Sequence, residues 1–366
     1  MSRKAQLLTP SEVTIKDIAV HLGISHSTVS RALNDHPTTS RDTKDRVRKL
    51  ARDLGYIKNA GPAMIQGTAS KLIGFIAPDV RNDFYSTVAS VVAESCALEG
   101  FQLVLAISED DPELELRHVL ALRQARVAGI VITPSLHFDA RAAELLRPVA
   151  TIQLVRCSDA LTTRAVLIDD PVGTRLATAH LLDLGHRRIA FVGGTEGLST
   201  SRERLRGVQE AHQQAGLALD PRWVALGPPR PAFGREAVAR LLELDETPTA
   251  IVMGSGQLTL GAIALLHEKG IRVPADLSLV GYGDPMWFQS WGPGITTVGL
   301  PTDELAAAAV SSLFRRMHIR ESQADRGFLP ELTGAARFPP QLMIRGSTAP
   351  PPAGNAARTG GRRAGR

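Results

Sequence analysis

The sequence has little cysteine and no long apolar run. Among its 366 residues only Cys96 and Cys157 carry thiols, and they do not form a CxxC pair. We expect both to be small buried hydrophobic residues rather than redox or metal-binding groups. The sequence also lacks a run of about eighteen apolar residues and the apolar core of a signal peptide. A cytoplasmic protein with no membrane partner is therefore expected.

Motifs that mark common enzymes are also missing. There is no HExxH, no Walker loop and no G-x-G-x-x-G after a strand, and residues 254–256 keep only a fragment of the last pattern. His180 and His186 lie six residues apart, which is the wrong spacing for two metal ligands on one helix face. We therefore expect a protein that is not an enzyme and that uses neither a cofactor nor a metal.

Positive charge is concentrated at the two ends of the chain. The formal net charge is +5, and residues 13–60 contain nine lysines and arginines against five aspartates. Residues 346–366 add four arginines and no acid. A polyanionic partner is therefore expected at the N-terminal region. The proline-, glycine- and arginine-rich stretch 346–366 is expected to be a disordered basic tail, which either attracts DNA nonspecifically or is simply solvated.

Residues 13–34, VTIKDIAVHLGISHSTVSRALN, predict two short helices joined by a tight bend. Thr14 and Asp17 have the spacing of a capping box, and Ser25 can cap the second helix. Gly23 between the helices allows the bend. Apolar residues recur at helical spacing in both helices and predict a shared core: Ile15, Ile18, Ala19 and Leu22, then Val29, Ala32 and Leu33.

The second helix would present a polar outer face made of His26, Ser27, Ser30 and Arg31. Short hydroxyls, an imidazole and a guanidinium can reach base edges and phosphates in a major groove. The alternative is an ordinary amphipathic helix pair whose outer face is solvated. A third helix is predicted from Ser40 to Leu54. Its cations either contact phosphate or form a solvated face: Arg41, Lys44, Arg48, Lys49 and Arg52.

From Leu72 onward the chain alternates between apolar runs and helical patterns. A strand at 73–78, a helix at 84–98 and a strand at 101–106 would make a βαβ unit, and the alternation then repeats. The predicted fold class is therefore α/β. It combines an N-terminal three-helix helix-turn-helix headpiece with a bilobed core of two parallel-sheet α/β lobes.

The motifs T-I-K-D-I-A, G-I-S and S-T-V-S-R-A-L-N resemble the headpiece of the LacI/GalR family of bacterial transcription regulators. The body resembles the periplasmic-binding-protein-like core of the same family, at residues 78–85, 169–194, 202–207, 272–282, 295–298 and 339–347. The resemblance implies a flexible lead (1–12), a headpiece (13–58), a hinge (59–71), a core (72–345) and the tail (346–366). In the core it implies an N-lobe of about 72–170 plus 302–328 and a C-lobe of about 171–301 plus 329–345.

The resemblance also implies which residues contact DNA. His26, Ser27 and Arg31 would read bases, with Ser30 beside them, and the hydroxyl, tyrosine and asparagine side chains would contact the backbone: Thr14, Thr28, Ser40, Thr43, Tyr56 and Asn59. Ile65 would insert into the minor groove and kink the operator. Gly61 and Pro62 depart from the usual hinge sequence of the family. We therefore expect the hinge of this chain to be disordered without DNA. The alternative is that this segment is a plain linker.

In the core, the resemblance implies a ligand cleft between the lobes, lined by Asp79, Phe84, Tyr85, Asp169, Thr200, Arg202 and Arg204. Ser255 and Gly256 replace the family's common Asn-Asp pair, Gly283 replaces an aspartate with Asp284 one place later, and Pro229 replaces a larger side chain. Losing acids while keeping Arg202 favours an anionic effector such as a sugar acid. Trp287, Phe288 and Trp291 either rim the cleft or pack between the lobes.

Together these observations predict a sequence-specific DNA-binding transcriptional regulator, a repressor. It would bind a near-palindromic double-stranded operator as a homodimer and respond to a small-molecule effector. Two alternatives stay open. One is a small-molecule binding protein of the periplasmic type with a fused helical module, and the other is a regulator whose effector site has decayed.

Overall fold

The computed structural model of the chain describes residues 14–54, 70–317 and 335–352. These ranges fall in two compact units, Met1–Ala69 and Ser70–Arg366. The predictions for the lead at 1–12, for most of the hinge and for residues 353–366 lie outside the described residues. Within the described ranges, no helix is long and apolar enough to cross a membrane.

The described part of the first unit consists of α1 (Ile15–Leu22), α2 (His26–Leu33) and α3 (Arg41–Asp53). The capping box of α1 is present, since the Asp17 amide donates to the Thr14 hydroxyl at 3.4 Å and the Thr14 amide donates to the Asp17 carboxylate at 2.7 Å. Gly23 ends α1 with a φ of 64°, a left-handed conformation that suits glycine. The Ser25 hydroxyl then accepts from the Thr28 amide at 3.2 Å and begins α2.

A small apolar core holds the three helices together. Each helix contributes two buried side chains to it, which is the arrangement that the spacing predicts. Because the stripe of α2 faces this core, the opposite side of that helix is left to solvent. The buried residues are Ile18, Ala19, Val29, Ala32, Val47 and Ala51.

Strands and helices alternate along the second unit. In chain order the elements are β1 (Leu72–Ala77), α4 (Asp83–Leu98), β2 (Gln102–Ile107), α5 (Pro112–Gln124), β3 (Gly129–Ile132), α6 (Ala140–Leu146), β4 (Ala150–Leu154), β5 (Ala165–Ile168), α7 (Asp170–Asp183), β6 (Ile189–Gly193), α8 (Ser199–Gln214), a 3-10 turn (Pro221–Trp223), β7 (Val224–Leu226), α9 (Pro231–Leu242), β8 (Ala250–Met253), α10 (Gly256–Glu268), β9 (Ser278–Tyr282), α11 (Met286–Ser290), β10 (Thr296–Gly299), α12 (Thr302–Arg316), β11 (Ala335–Phe338) and β12 (Gln341–Met343).

The strands form two six-stranded sheets, one in each lobe. The first lobe has the order β11-β5-β4-β3-β1-β2 and the second the order β12-β10-β9-β8-β6-β7. The paired strands are parallel except β10 and β12, which are antiparallel. Strands such as β1, β3 and β6 are apolar along almost their whole length because helices cover both faces of each sheet. The α/β fold class with two parallel-sheet lobes is confirmed.

The chain passes between the lobes after β5, after β10 and between β11 and β12. Helix α12 packs in the first lobe, as predicted, with Leu305 and Leu313 in its core. The assignment of 329–345 to the second lobe is wrong for β11, which pairs with β5 of the first lobe and places Ala335 opposite Ala165. The partner of such a short strand is set by the sheet that it joins and not by its own sequence.

The expectation of a disordered tail from residue 346 is also wrong at its start. Ser347 is fully buried; its hydroxyl donates to the Leu279 carbonyl at 2.6 Å and accepts from the Thr296 amide at 2.8 Å. Two residues on, the Ala349 carbonyl accepts a 2.8 Å hydrogen bond from Nε2 of buried His186. Residues 347–349, which we call the C-terminal strap, therefore satisfy polar groups of the second lobe that composition alone does not reveal.

Of the two cysteines, Cys96 is buried in the core of the first lobe, as predicted. The same prediction is wrong for Cys157, which is exposed. Cys157 follows β4 in the connection to β5, and connections of this kind run over the surface.

Candidate functional site

Helix α2 exposes the polar face that the sequence predicts. His26, Ser27 and Arg31 are exposed, and Ser30 is half-buried beside them. The Arg31 Nε donates to the Ser27 carbonyl one turn earlier at 3.3 Å. This contact lays the guanidinium along the helix surface and leaves its terminal N–H groups for a bound partner. The face can therefore present one cation and several short donors and acceptors to base edges.

The hydroxyls expected to contact the DNA backbone lie in the first turns of the helices. Thr14 caps α1, and Thr28 in α2 shares a 2.8 Å hydrogen bond with Ser25. Ser40 precedes α3 and accepts from the Thr43 amide at 3.3 Å. Helix N-termini favour anions, because their amides point outward and the helix dipole is positive there. Tyr56, Asn59 and Ile65 lie outside the described residues.

Two of the α3 cations are already engaged within the headpiece. Lys44 Nζ lies 3.1 Å from the Asp35 carboxylate, and Arg48 Nη2 lies 2.9 Å from it. The hydrogen bond from Lys44 lowers the pKa of Asp35. Asp35 has a φ of 57°, so the pair fixes the loop between α2 and α3. Lys44 and Arg48 thus have a structural task that the charge pattern does not indicate.

A cavity of about 360 Å³ lies between the two lobes of the second unit. Its walls come from the carboxyl ends of the strands in both lobes, where open α/β sheets bind ligands. Most of the predicted cleft residues line it: Asp79, Phe84, Tyr85, Thr200, Arg204, Ser255 and Asp284.

Arg202 and Asp169 do not line this cavity, and their prediction as cleft residues is corrected here. Helix α8 carries Thr200 and Arg204 one turn apart on the same face, whereas Arg202 points away from that face and is exposed. Asp169 precedes α7 and is followed by the buried Asp170, which takes the place beside the cleft. Helical spacing within α8 is a signal that would have separated Arg204 from Arg202.

Arg204 is held in a buried network of the second lobe. Its Nε donates to the Asp170 carboxylate at 2.8 Å and its Nη1 to the Gly254 carbonyl at 2.6 Å. The Tyr282 hydroxyl donates to the same carboxylate, and the guanidinium carbon lies 4.0 Å from the centre of the Tyr282 ring. Burial raises the pKa of Tyr282, so this hydroxyl stays a donor. Asp170 therefore balances the positive charge of Arg204.

The first lobe contributes a matching pair that the sequence does not indicate. The Arg156 guanidinium contacts both carboxylate oxygens of Asp110, 46 positions earlier in the chain. Tyr85 lies close by, and burial raises the pKa of its hydroxyl. No local spacing connects Asp110 with Arg156, because one follows β2 and the other follows β4.

Glu115 is buried in the first lobe, and no arginine or lysine among the described residues forms an ion pair with it. Its carboxylate accepts from the Ser135 amide at 2.8 Å and from the Ser135 hydroxyl at 3.3 Å. Burial raises the pKa of Glu115 to about 7, and the two Ser135 hydrogen bonds only partly oppose this. The first lobe therefore holds a buried carboxyl group whose pKa is raised toward neutral pH.

The positions that depart from the family pattern have structural explanations. The Ser255 hydroxyl accepts from the Leu258 amide and begins α10, and Gly283 has a φ of 85°, a left-handed conformation that suits glycine. Asp284 forms a bidentate ion pair with Arg345 at 2.7 Å. Of the three aromatic residues near it, Trp287 lines the cavity, whereas Phe288 lies in the core of the second lobe and Trp291 packs against that core.

These contacts remove one premise of the anionic-effector prediction, the role of Arg202. Arg202 is outside the cavity, and each of Arg81, Arg156 and Arg204 contacts a carboxylate. An ion pair between the lobes is formed by the neighbouring Glu203, which accepts two 2.7 Å hydrogen bonds from Arg337 of the first lobe. The cavity wall also carries Arg230, which makes no ion pair among the described residues, and the five acids of the wall outnumber its four arginines.

Comparison with known proteins supplies the remaining findings. Residues 14–59 match the family described as "Bacterial regulatory proteins, lacI family", and residues 178–348 match a "Periplasmic binding protein-like domain". The chain is 31% identical over 336 residues to the HTH-type transcriptional repressor PurR of Haemophilus influenzae, covering 91% of this chain and 98% of that protein. It is 30% identical to the HTH-type transcriptional regulator DegA of Bacillus subtilis, covering 93% of this chain and 99% of that protein.

Solved structures agree with the sequence matches. The chain is similar to the lac repressor dimer bound to operator and the anti-inducer ONPF, with a TM-score of 0.75 and 25% identity, covering 93% of this chain and all of that one. It is also similar to the complex of the transcriptional regulator CelR with cellobiose, with a TM-score of 0.66 and 26% identity, covering 92% of this chain and 100% of that one.

Proposed function

The chain belongs to the LacI family of DNA-binding bacterial transcription regulators, and from this premise we propose that it is a repressor that binds a near-palindromic operator as a homodimer. The observation that carries the proposal is the exposed face of α2, where Arg31 stands beside His26 and Ser27. The similarity to a repressor dimer on its operator supports the dimeric arrangement. Two headpieces related by a two-fold axis would read two half-sites of opposite orientation.

We infer separate roles for the headpiece residues. His26, Ser27, Ser30 and Arg31 read base edges. The backbone contacts come from Thr14, Thr28, Ser40 and Thr43, together with Tyr56 and Asn59, and Ile65 is the minor-groove wedge. The first-turn positions of the hydroxyls in α1, α2 and α3 support their part, because phosphates bind where helix amides are exposed.

The second part of the proposal is an effector in the interlobe cavity. The cavity size lies within the range of about 300–1,000 Å³ that is typical of small-molecule sites. Arg156 and Arg204 in its walls are each paired with an aspartate, which favours a working site over a decayed one. A ligand that closes the lobes would shift the dimer between two states that present the headpieces differently. The size of this shift in the equilibrium is limited by the ligand's difference in affinity for the two states.

Selection of duplexes from a random pool, followed by gel-shift titration, tests the DNA-binding part. We expect a two-fold symmetric consensus, and scrambling one half-site should weaken binding by about 100-fold or more, because the second headpiece loses its partner site. A single asymmetric site bound at full affinity, or equal affinity for all duplexes at moderate salt, would refute the proposal.

A further inference from the structure

Positive charge is concentrated at the amino ends of the strands in the first lobe. The paired strands of this lobe are parallel, so the connections that lead into them meet at one face. The end of α12 reaches the same face, because a Cβ on Gly129 at the start of β3 would lie 2.8 Å from the Met317 sulfur. We call this surface the basal face and define it by residues 70–71, 95–101, 121–128, 143–149, 164 and 313–317.

The basal face contains seven lysines and arginines against two acids, Glu99 and Glu144. Seven minus two gives a formal net charge of +5, which equals that of the whole chain. Six of the seven cations are arginines, whose planar guanidinium suits bidentate contact with phosphate oxygens. The seven cations are Lys71, Arg123, Arg126, Arg147, Arg164, Arg315 and Arg316.

The corresponding face of the second lobe carries no such excess. It is defined in the same way, by the last four residues of each helix and the connection to the next strand, and comprises residues 180–188, 211–223, 239–249, 265–277 and 287–295. These ranges contain six lysines and arginines against seven aspartates and glutamates. Helix C-termini favour nearby cations, but both faces are built from helix C-termini. The helix dipoles therefore do not explain the charge of the basal face.

Several cations of the basal face are available to a partner. Lys71 and Arg316 are exposed and form no ion pair with a described residue, and exposed Arg147 pairs with Glu144 at the surface. Arg123 and Arg315 also lack an ion pair within the described residues, and three of their buried guanidinium nitrogens have no hydrogen-bond partner there. The described part of the lobe thus leaves most of this charge without a neutralising acid.

The chain enters the first lobe at the basal face. The amide and the hydroxyl of Ser70 both donate to the Arg126 carbonyl at 3.0 Å. Between Ser70 and Leu54, the last described residue of the headpiece, lie residues 55–69, and a segment of this length spans at most about 50 Å. DNA that is bound by the headpiece is therefore kept at a high local concentration around the first lobe.

We propose that the basal face is a second DNA-binding surface, which contacts the phosphates of a duplex without regard to its sequence. The face presents helix C-termini and short connections rather than a helix that could enter a groove, so its cations reach phosphates and not base edges. This inference rests on the proposed DNA-binding function and adds a surface outside the headpiece. Such contacts strengthen binding to DNA that lacks the operator, and this binding is strongly salt-dependent.

A triple variant of the full-length protein tests the proposal by fluorescence anisotropy on a random-sequence duplex. We expect the variant to bind this duplex about 10-fold more weakly than the wild type at about 50 mM salt. The slope of log affinity against log salt concentration should fall by about two to three, since each lost phosphate contact removes about 0.9 from it. The three exposed substitutions are Lys71→Gln, Arg147→Gln and Arg316→Gln.

A second triple variant is the matched control, because it removes the same charge from exposed positions of the second lobe. Arg206 matches Arg147, since each pairs with a glutamate about one turn away on the surface. The control should bind the random duplex within about two-fold of the wild type. Both variants should bind a short operator duplex within about three-fold of the wild type, which also shows that they are folded. The control substitutions are Arg206→Gln, Arg240→Gln and Lys269→Gln.

The proposal is overturned if the basal-face variant binds the random duplex as the wild type does. In that case the charge of the face is left for an acidic protein partner. Equal weakening in both triple variants also overturns it, because the effect would then follow net charge and not this face. Operator preference in the wild-type protein keeps the two levels apart: its loss removes the proposed function, whereas intact preference with either of these outcomes removes only the second surface.

Discussion

At the residue scale, the outward-facing side chains of α2 differ in the hydrogen bonds that they make in the absence of DNA. The hydroxyls of Ser27 and Thr28 both lie 2.8 Å from the Ser25 hydroxyl, so they have a partner in the absence of DNA. Among the described residues, Arg31 makes a single contact through Nε. A guanidinium with free terminal donors can form a bidentate pair with a guanine.

Arg31→Ala should therefore reduce the preference for operator over random DNA by about 10- to 100-fold, which corresponds to one lost bidentate base contact. Gel-shift titrations against operator and scrambled duplexes measure both affinities. Arg46→Ala is the matched control, since it removes the same charge from an exposed position of α3. Equal loss on both duplexes in the Arg31 variant would assign this arginine to the phosphate backbone.

Lys44 is a poor probe of phosphate contact for a structural reason. Its ammonium group donates to the Asp35 carbonyl at 3.2 Å and lies 3.1 Å from the carboxylate of the same residue. Lys44→Ala would release the loop after α2 as well as a charge. Uniform weakening on all duplexes in this variant would therefore have two physical causes.

Glu115 gives a second prediction at the residue scale. Its carboxyl has a pKa of about 7 in the folded protein, against about 4.3 in an unfolded chain. The folded state therefore keeps this proton to higher pH, and its contribution to the free energy of unfolding falls as pH rises from about 4 through 7. Glu115→Gln should match the wild-type stability near pH 4 and exceed it by about 3 kcal/mol near pH 8.

Urea unfolding at several pH values measures this difference. Glu113→Gln is the control on the same helix, because Glu113 is exposed and pairs only with Arg141 at the surface. The control should follow the wild-type curve. Parallel stability curves for the Glu115 variant and the wild type would mean that this carboxyl ionises in the folded protein as it does in water.

At the element scale, the bend between α1 and α2 depends on one backbone conformation. Gly23 has a φ of 64° and no atom within 4 Å of the place where a Cβ would stand. Gly23→Ala therefore tests backbone strain without a steric clash, and it should destabilise the headpiece by about 1 kcal/mol. Amide hydrogen exchange of α1 and α2 in the intact protein would report the loss.

Val20→Ala is the matched control for the bend. Val20 is on the same helix and 80% exposed, so its truncation should leave exchange rates within about 0.5 kcal/mol of the wild type. If both variants exchange alike, the left-handed conformation at Gly23 is not a source of strain for alanine, and the bend is set by the helix packing instead.

At the scale of the whole molecule, the C-terminal strap ties the end of the core to strands made much earlier in the chain. Ser347 bonds to β9 and to Thr296 of β10, and the Ala349 amide donates to the Ser278 hydroxyl at 3.0 Å. Nε2 of His186 donates to the Ala349 carbonyl, and Nδ1 lies 2.8 Å from the Thr249 hydroxyl. Burial lowers the pKa of His186, so the ring stays neutral and keeps this geometry.

Ending the chain after Gly346 should therefore lower the stability of the core by about 3 kcal/mol or more, since several buried polar groups lose their partners. Scanning calorimetry should show a fall of roughly 5–10 °C in Tm. Ending the chain after Pro352 is the control, because this truncation leaves each of these contacts in place. An unchanged Tm in both truncations would show that the strap does not stabilise the lobe.

The sequence by itself determined the features that depend on neighbours along the chain. The capping box of Thr14 and Asp17, the bend at Gly23, the polar face of α2 and the alternation of strands and helices all follow from local spacing. Backbone conformation and helical or strand periodicity act over a few residues, so their outcome is readable in the order of the amino acids.

Only the tertiary structure decided which distant residues meet. It paired Asp110 with Arg156 and Asp170 with Tyr282, joined β11 to the first lobe, and buried Ser347 in the second. It also placed Arg204, and not Arg202, at the cleft and left its charge balanced. The physical reason is that charge balance, burial and strand pairing depend on groups brought together from opposite ends of the sheets, and no spacing within one segment records those partners.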